Sequence, residues 1–435
     1  MEFSRVISVI GFIVILLMAW ILSNNRKVVN WRVIIWGVVL EILFASFIFI
    51  LPIGTQFFMF VNDVVNGVLD SATFGIRFLF GRLGLSPGSV SETGETSIGF
   101  ILALQAFPTI IFFASLVGVL YYLGIMQKII RGFSFLFTKL MGISGAESLS
   151  ASSNIFVGVE SGLVIKPFLK SMTRSEICTV LTAGMATIAS SMLAVYIMML
   201  KTDFPSIAGH LVSASIMNAP AAIIISKLLY PETETPETMG KHVKPHYEKE
   251  DSLFEAVINN ANSGVKIIVG IAALLLAVLG LMTLVDKIIV LFGSQLNYLL
   301  STNIDWTLKG LLGYLFYPVT LVIGIPFSEA VEISKIIGER LILTEVVSFQ
   351  DLAALTQSGS ISPRSVVITT YALTGFASVA SMAIFVGGFS AIAPERLKDI
   401  SRLGFKALLG ATMATLLTAS LSGVFYTSSS IMMGQ

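Results

Sequence analysis

The chain has 435 residues, 55% hydrophobic and 12% charged, with 27 Lys and Arg against 26 Asp and Glu and a mean hydropathy of +0.88. A soluble protein carries about twice that charged fraction, and runs of about 20 apolar residues recur throughout, so the sequence reads as an all-α polytopic membrane protein. A net charge of +1 gives no basis for binding nucleic acid, the single Cys178 excludes intramolecular disulfides and thiolate clusters, and the three histidines are too scattered for a metal site.

In chain order, the first apolar run (Val6 to Leu22) is too long for a typical signal h-region and has no small-residue cleavage site, so it reads as a retained helix. Eight full spans are expected at 4–23, 31–52, 99–125, 176–200, 207–229, 264–292, 365–391 and 403–426. Between the second and third, Phe57 to Leu85 is amphipathic, with Asn62, Asp63, Asp70, Arg77 and Arg82 breaking the apolar face. That is the pattern of one interfacial helix. Residues 84–97 read as an exposed loop and 231–252, the only long hydrophilic stretch, as a flexible joint.

Basic residues set the expected orientation. Arg26, Lys27 and Arg32 place the first loop inside, and alternation puts Gln127 to Arg131, Lys166 to Arg174, the 231–252 linker and Arg396 to Lys406 on the same side. Both termini then face outward. Lys335, Arg340 and Arg364 fall on the outer side, against the trend.

Two segments break the membrane pattern. ESLSASSNIFVGVESGLVIKP (147–167) and IGIPFSEAVE (323–332) interrupt apolar residues with Ser, Asn, Gly and Glu. At bilayer depth such residues survive only when buried in protein or lining a wet cavity. Residues 139–169 and 307–345 are therefore expected as re-entrant hairpins, one from each face. An internal echo supports this: TRSEICTVLTAGMATIASSM (173–192) resembles SPRSVVITTYALTGFASVASM (362–382), with Gly184 aligned to Gly375 and Ala189-Ser190 to Ala380-Ser381. Small residues match by chance readily in membrane helices. The repeat is expected to be inverted in topology, with a solute site at the repeat interface.

Glu329 is the sharpest candidate, a carboxylate in an apolar stretch that can accept two hydrogen bonds from solute hydroxyls, or else a loop acid facing water. Glu160 and Ser161, between Gly158 and Gly162, either form a ligand-binding tip or cap a half-helix. Asn154, Ser190 and Ser191 offer hard oxygens to a small cation, although serines in membrane helices also bond their own backbone. Phe376 either stacks on a planar solute or packs; Gly375, Ser378 and Ser381 add small or hydroxyl groups beside it. No phosphate-cradling loop, HExxH motif or Ser/His/Asp set occurs, which disfavours ATP-driven transport and enzyme chemistry.

SNIFVG…VIKPFL, MTRSE, GYLFYPVTLVIGIPFSEA, SPRSVVITTYALTGFA and GGFSAIAPERLKDISRLGFKALLGATMATLLTASLSG, in this order, resemble the concentrative nucleoside transporter family from about Glu147 to Gly423. The resemblance implies a homotrimer whose protomers import nucleosides on a sodium gradient, or a proton gradient in some members, without an organic cofactor. It implies a bacterial inner-membrane location and a sodium site at Asn154, the Val157 carbonyl, Ser190 and Ser191. The solute site would comprise Gly158, Val159, Glu160, Ser161, Val195, Glu329, Phe376, Ser378 and Ser381. The expected division is scaffold at 1–135 and 263–306, first repeat at 136–230, linker at 231–262 and second repeat at 307–435.

The chain departs from the family where solute is read. GQTEAPL is replaced by GVESGL, GFANFSS by GFASVAS with Ser378 for asparagine, and NEFVAY by TEVVSF with Thr344 for asparagine and Val346 for phenylalanine. Two missing amide hydrogen bonds at about 1–3 kcal/mol each amount to about a hundredfold or more in affinity. The substrate is then a nucleoside held by other groups, a nucleobase or a modified nucleoside; a sensor that binds solute without moving it is the more distant alternative.

Overall fold

The computed structural model describes residues 2–91, 94–158, 160–247 and 250–427. Two apolar helices come first, α1 (Glu2–Ile21) and α2 (Trp31–Phe49), the second capped by the Asn30 side chain, which accepts from the Val33 N–H. Pro52 opens α3 (Pro52–Phe80), the expected amphipathic helix. A π-helical turn leads into α4 (Phe107–Tyr122), and Gly124, at φ +75°, turns the chain into α5 (Ile125–Met141).

Next come α6 (Gly145–Asn154) and the one-turn α7 (Ser161–Val164), the two legs of a first hairpin. They are followed by α8 (Arg174–Ala186), α9 (Ser190–Leu200), α10 (Ile207–Leu229) and the 48-residue α11 (Leu253–Leu300). Reciprocal capping boxes, Ser144 with Glu147 and Thr173 with Glu176, start α6 and α8. The last third contains α12 (Leu308–Val322), α13 (Phe327–Glu339), α14 (Glu345–Gln357), α15 (Pro363–Leu373), α16 (Val379–Ile392) and α17 (Leu397–Phe425).

Among the described residues no strand forms, and seven helices are long and apolar enough to cross a membrane, counting Arg174–Leu200 as one. The remaining expected span, 365–391, is split into α15 and α16, just as 176–200 is split into α8 and α9. Nearly all of α10 is buried, as is the inner part of α17, so these two form the core; α11 lies outermost, with Ala256, Gly264 and Gly293 its buried residues.

Three expectations are corrected. The second hairpin is α13–α14 (residues 327–357), not 307–345. Gly324, at φ +101°, and Pro326 make the polar run a joint between α12 and α13, and the hairpin's tip is Arg340 to Thr344. Arg340 and Arg364 are not outer-loop charges but are buried. Their guanidinium groups satisfy carbonyls, Arg340 at Ala372 and Arg364 at Gly324, Ser4 and Gly423.

Third, the linker is no loose joint. Thr238 accepts through its carbonyl from the Gly145 N–H (2.9 Å) and through its hydroxyl from the Ala146 N–H (3.2 Å). The N–H of Gly240 donates to the Ile143 carbonyl, the N–H of His246 donates to the Val164 carbonyl (3.0 Å), and Tyr247 stacks on Tyr121 at 5.4 Å. The first N–H groups of α6 have no partner within the helix, and this strap supplies acceptors for those of Gly145 and Ala146.

Candidate solute and cation site

Two helices break beside each other. α8 stops at Ala186 and α9 resumes at Ser190; α15 stops at Leu373 and α16 resumes at Val379. Each break leaves carbonyls without helical donors. The Asn218 side-chain amide on α10 serves both, donating to the Ala186 carbonyl (2.8 Å) and the Thr374 carbonyl (2.9 Å). Gly375 has φ +132°, and a Cβ there would sit 2.6 Å from the Ala186 oxygen, so only glycine lets the two breaks touch.

Each hairpin tip docks on one break. The Ser190 N–H donates to the Phe156 carbonyl (3.0 Å), and the Val379 N–H donates to the Leu341 carbonyl (2.9 Å). Ser215, also on α10, donates to the Ile155 carbonyl (2.9 Å), fixing the first tip to the same helix as Asn218. The donors of these contacts, Ser190 and Val379, and the N-caps Thr173 and Ser362 set the register of the broken helices at an offset of 189. The Gly184–Gly375 alignment is therefore two residues out of step.

At the first tip, the Asn154 amide donates to the Ser150 carbonyl (2.9 Å), which aims its oxygen at the Ser161 hydroxyl (2.9 Å). Ser190 and Ser191 form no side-chain hydrogen bond among the described residues and, with Val157, Gly158 and Glu160, line a cavity of about 430 Å³. That volume suits a small molecule. The amide oxygen, backbone carbonyls and two free hydroxyls are the hard-oxygen set a sodium ion takes. Asn154 and Ser161 are both fully buried behind the cavity wall, beside the lining residues Gly158 and Glu160. Tyr121 of α4, Asn260 of α11 and Tyr247 of the strap close the opposite wall.

The second repeat contributes differently from expectation. Ser378 caps α16, accepting from the Ser381 N–H (3.2 Å), and both serines are buried; Phe376 is half-buried, and none of the three lines the cavity. Val195 is fully buried in α9. Val159 lies outside the described residues. The structure does not bring Glu329 to the tips. It sits in the first turn of α13, accepting from the Ser362 N–H (3.2 Å) and hydroxyl (3.1 Å) at the start of α15. That end of α15 packs beside Ser4 of α1 and Gly423 of α17 through Arg364, away from either break.

The acid at the second tip is Glu345, the first residue of α14. It is buried beside the Tyr196 hydroxyl and the Arg340 guanidinium, and its Oε2 has no hydrogen-bond partner. The Tyr196 ring stacks on Phe349 at 4.3 Å, so α9 of the first repeat meets the second hairpin here. Glu345 was not among the expected site residues, and the signal for it is the acid that TEVVSF shares with NEFVAY.

Family profiles match most of the chain: "Na+ dependent nucleoside transporter N-terminus" over residues 10–83, "Nucleoside recognition" over 103–203 and "Na+ dependent nucleoside transporter C-terminus" over 210–423. The nucleoside permease NupC of Helicobacter pylori is 34% identical over 98% of this chain and 99% of its own length. The chain belongs to the concentrative nucleoside transporter family. This transporter is also 33% identical to mouse solute carrier family 28 member 3, covering 97% of this chain and 59% of that one. The solved structure of CNTnw in an inward-facing substrate-bound state superposes with a TM-score of 0.86 at 33% identity, over 97% of this chain and 98% of that one. An outward-facing CNTnw variant matches with a TM-score of 0.86 at 32% identity. The protein is thus a multi-pass membrane transporter and not an enzyme, and sodium coupling is the family property.

Proposed function

We propose that this transporter imports nucleosides or close relatives by alternating access, the solute held between the two hairpin tips and the cation at the first. The single observation that carries this reading is the pair of tips docked on two adjacent helix breaks, both pinned by Asn218. Glu160 from the first hairpin and Glu345 from the second supply carboxylates for solute hydroxyls. Gly158, Val159, Ser161 and Val195 of the first repeat and Phe376, Ser378 and Ser381 of the second are assigned to the solute, the last three reaching it in a conformation other than this one, where they lie off the cavity. Asn154, the Val157 carbonyl, Ser190 and Ser191 bind sodium, which orders the tip through the Asn154–Ser161 hydrogen bond.

The moving body comprises the hairpins with α8–α10 and α12–α17; α1–α4 and α11 form a scaffold that associates as a homotrimer in a bacterial inner membrane, both termini outside. Ser378 is engaged in its own helix cap, where the family pattern has an amide. That favours a modified nucleoside or a nucleobase as a second reading. Uptake into proteoliposomes, measured across a panel of ribosides, deoxyribosides and free bases under separate sodium and proton gradients, distinguishes them. Glu345→Gln should lower uptake of the cognate solute at least about tenfold, the worth of one charge-assisted hydrogen bond, whereas Glu329→Gln should leave it close to normal. Equal uptake by Glu345→Gln and the unaltered protein overturns the assignment.

A further inference from the structure

Glu41 lies at the eleventh of the 19 positions of α2, in the middle of a helix that carries no other charge after Arg32. Its relative exposure is 0%, and neither carboxyl oxygen has a hydrogen-bond partner among the described residues. The carboxyl faces the backbone of Ala221 on α10. The α2 face that carries it is close-packed: a Cβ on Gly37, one turn away, would meet Ile224 of α10 at 2.4 Å.

Among the described residues no cation is paired with it, and Tyr371 of α15 is a titratable group near enough for Glu41 to act on. On α10, His210 is enclosed by the rings of Phe49, Phe58, Phe204 and Tyr371, and Lys227 is paired with Glu147 and Glu232. On α17, Lys406 bonds Asn24, and Arg402 and Asp399 lie towards the same end. On α5, Lys139 lies over Phe135 at the end of the bundle where Arg32 bonds Lys139 and Leu140. On α3, Asp63 accepts from Asn62 and Asp70 pairs with Lys201.

An anion held dry at mid-membrane without a cation is too costly to persist. A carboxylic acid is not, provided its proton finds an acceptor. Pro220 has no N–H, so the helical carbonyl four residues earlier, at Ile216, loses its usual donor. In an α-helix that carbonyl lies next to the N–H of residue 221, which Glu41 faces.

We propose that Glu41 is a proton-binding site, separate from the solute and sodium groups, and that each transport cycle carries its proton. The proposal rests on the importer reading above. While α2 and α10 are packed, the proton is enclosed. It exchanges with water only in a conformation that parts the two helices. Asn218 lies one turn from Ala221 on α10 and holds both helix breaks, so the helix that senses the proton is the one that fixes the solute site.

The test uses the full chain in proteoliposomes loaded with a pH-sensitive dye, with sodium equal on both sides and with the nucleoside panel outside. The unaltered protein should acidify the lumen when nucleoside is added. Glu41→Gln, neutral at every pH, should still take up nucleoside but lose the acidification and the pH dependence of uptake. Acidification by Glu41→Gln equal to that of the unaltered protein, or nucleoside uptake by the unaltered protein with no acidification, overturns the proposal. Infrared difference spectra of detergent-purified protein supply a readout independent of transport. A buried protonated-carboxyl C=O band should be present in the unaltered protein, absent in Glu41→Gln and displaced in Glu41→Asp, which also covers a Gln variant that fails to fold. If no nucleoside is moved, the importer reading fails while this band still decides the proton site: its absence from the unaltered protein refutes it.

Discussion

Asn218 directs both amide protons to backbone carbonyls that two helix ends would otherwise leave bare, and its own oxygen has no donor among the described residues. Removing a donor from buried carbonyls costs about 1–3 kcal/mol per group, so Asn218→Ala should lower the thermal unfolding midpoint of detergent-purified protein. Asn218→Asp, which places oxygen against oxygen, should lower it at least as far. An unchanged midpoint in both variants means the breaks are held by something else. Asn154 makes a separate case: its oxygen accepts from the Ser161 hydroxyl at the tip, and the proposed sodium site includes it. Loss of one cation ligand worth about 1.4 kcal/mol raises the half-saturating sodium concentration about tenfold, which uptake of Asn154→Ala against sodium should show; a flat comparison removes Asn154 from the site. Neither bond network was legible in the sequence. Asn154 stood out because it sits among serines and glycines. Asn218 did not, because it is one amide in an apolar helix whose partners lie 32 and 156 residues away. Glu329 misled for a physical reason: an acid in apolar sequence announces burial and a hydrogen-bond donor, and here the donor is the start of α15.

At the scale of elements, each repeat is a hairpin followed by a broken helix, and the return legs are exchanged. α7 packs on α16, where Phe389 and Ile392 close over Gly162, and α14 packs on α9, where Phe349 stacks on Tyr196. Neither hairpin can move without disturbing the other repeat's half-helix, a rigid coupling of the kind inverted repeats provide. The repeat was readable from its small residues, but its register was not, because alanine and serine matches tolerate a slip of two whereas backbone hydrogen bonds do not. The strap was misread because PETETPETMGKHVKPHYEKEDS has the composition of a loop; composition says nothing about the first N–H groups of a distant helix that need acceptors. Thr238 meets that need at α6. Thr238→Val keeps the shape, retains the carbonyl bond to Gly145 and removes the hydroxyl acceptor for Ala146. Amide hydrogen exchange at the start of α6 should then quicken about fivefold, the equivalent of about 1 kcal/mol. Exchange at the original rate means that the strap lies over the hairpin without fastening it.

For the whole molecule, α11 is the element that a single copy does not explain. Its 48 residues extend about 72 Å at 1.5 Å per residue, well beyond the bilayer's hydrocarbon core. One flank is held by α4, where Gly118 receives Asn260 and Gly264 abuts Ile111. Trp306 covers Gly293 near the other end, and much of the remaining surface is bare, with Leu276 79% and Phe292 63% exposed. The apolar middle of that surface suits lipid tails. The ends reach past them and carry Phe254 and Tyr298, also exposed, where chains meet water. A helix of this length stands more readily when other copies flank it, and the proposed trimer would place them around α4 and α11. Native mass spectrometry from a mild detergent should therefore give a mass three times that of one chain. Arginine at Leu276 or at Phe292 separates lipid contact from subunit contact: on a lipid-facing flank it reduces membrane insertion and leaves the assembly of inserted protein intact, whereas within a subunit interface it yields single chains. A wild-type protein that stays monomeric with full uptake rejects the trimer, and α11 would then owe its length to some other contact.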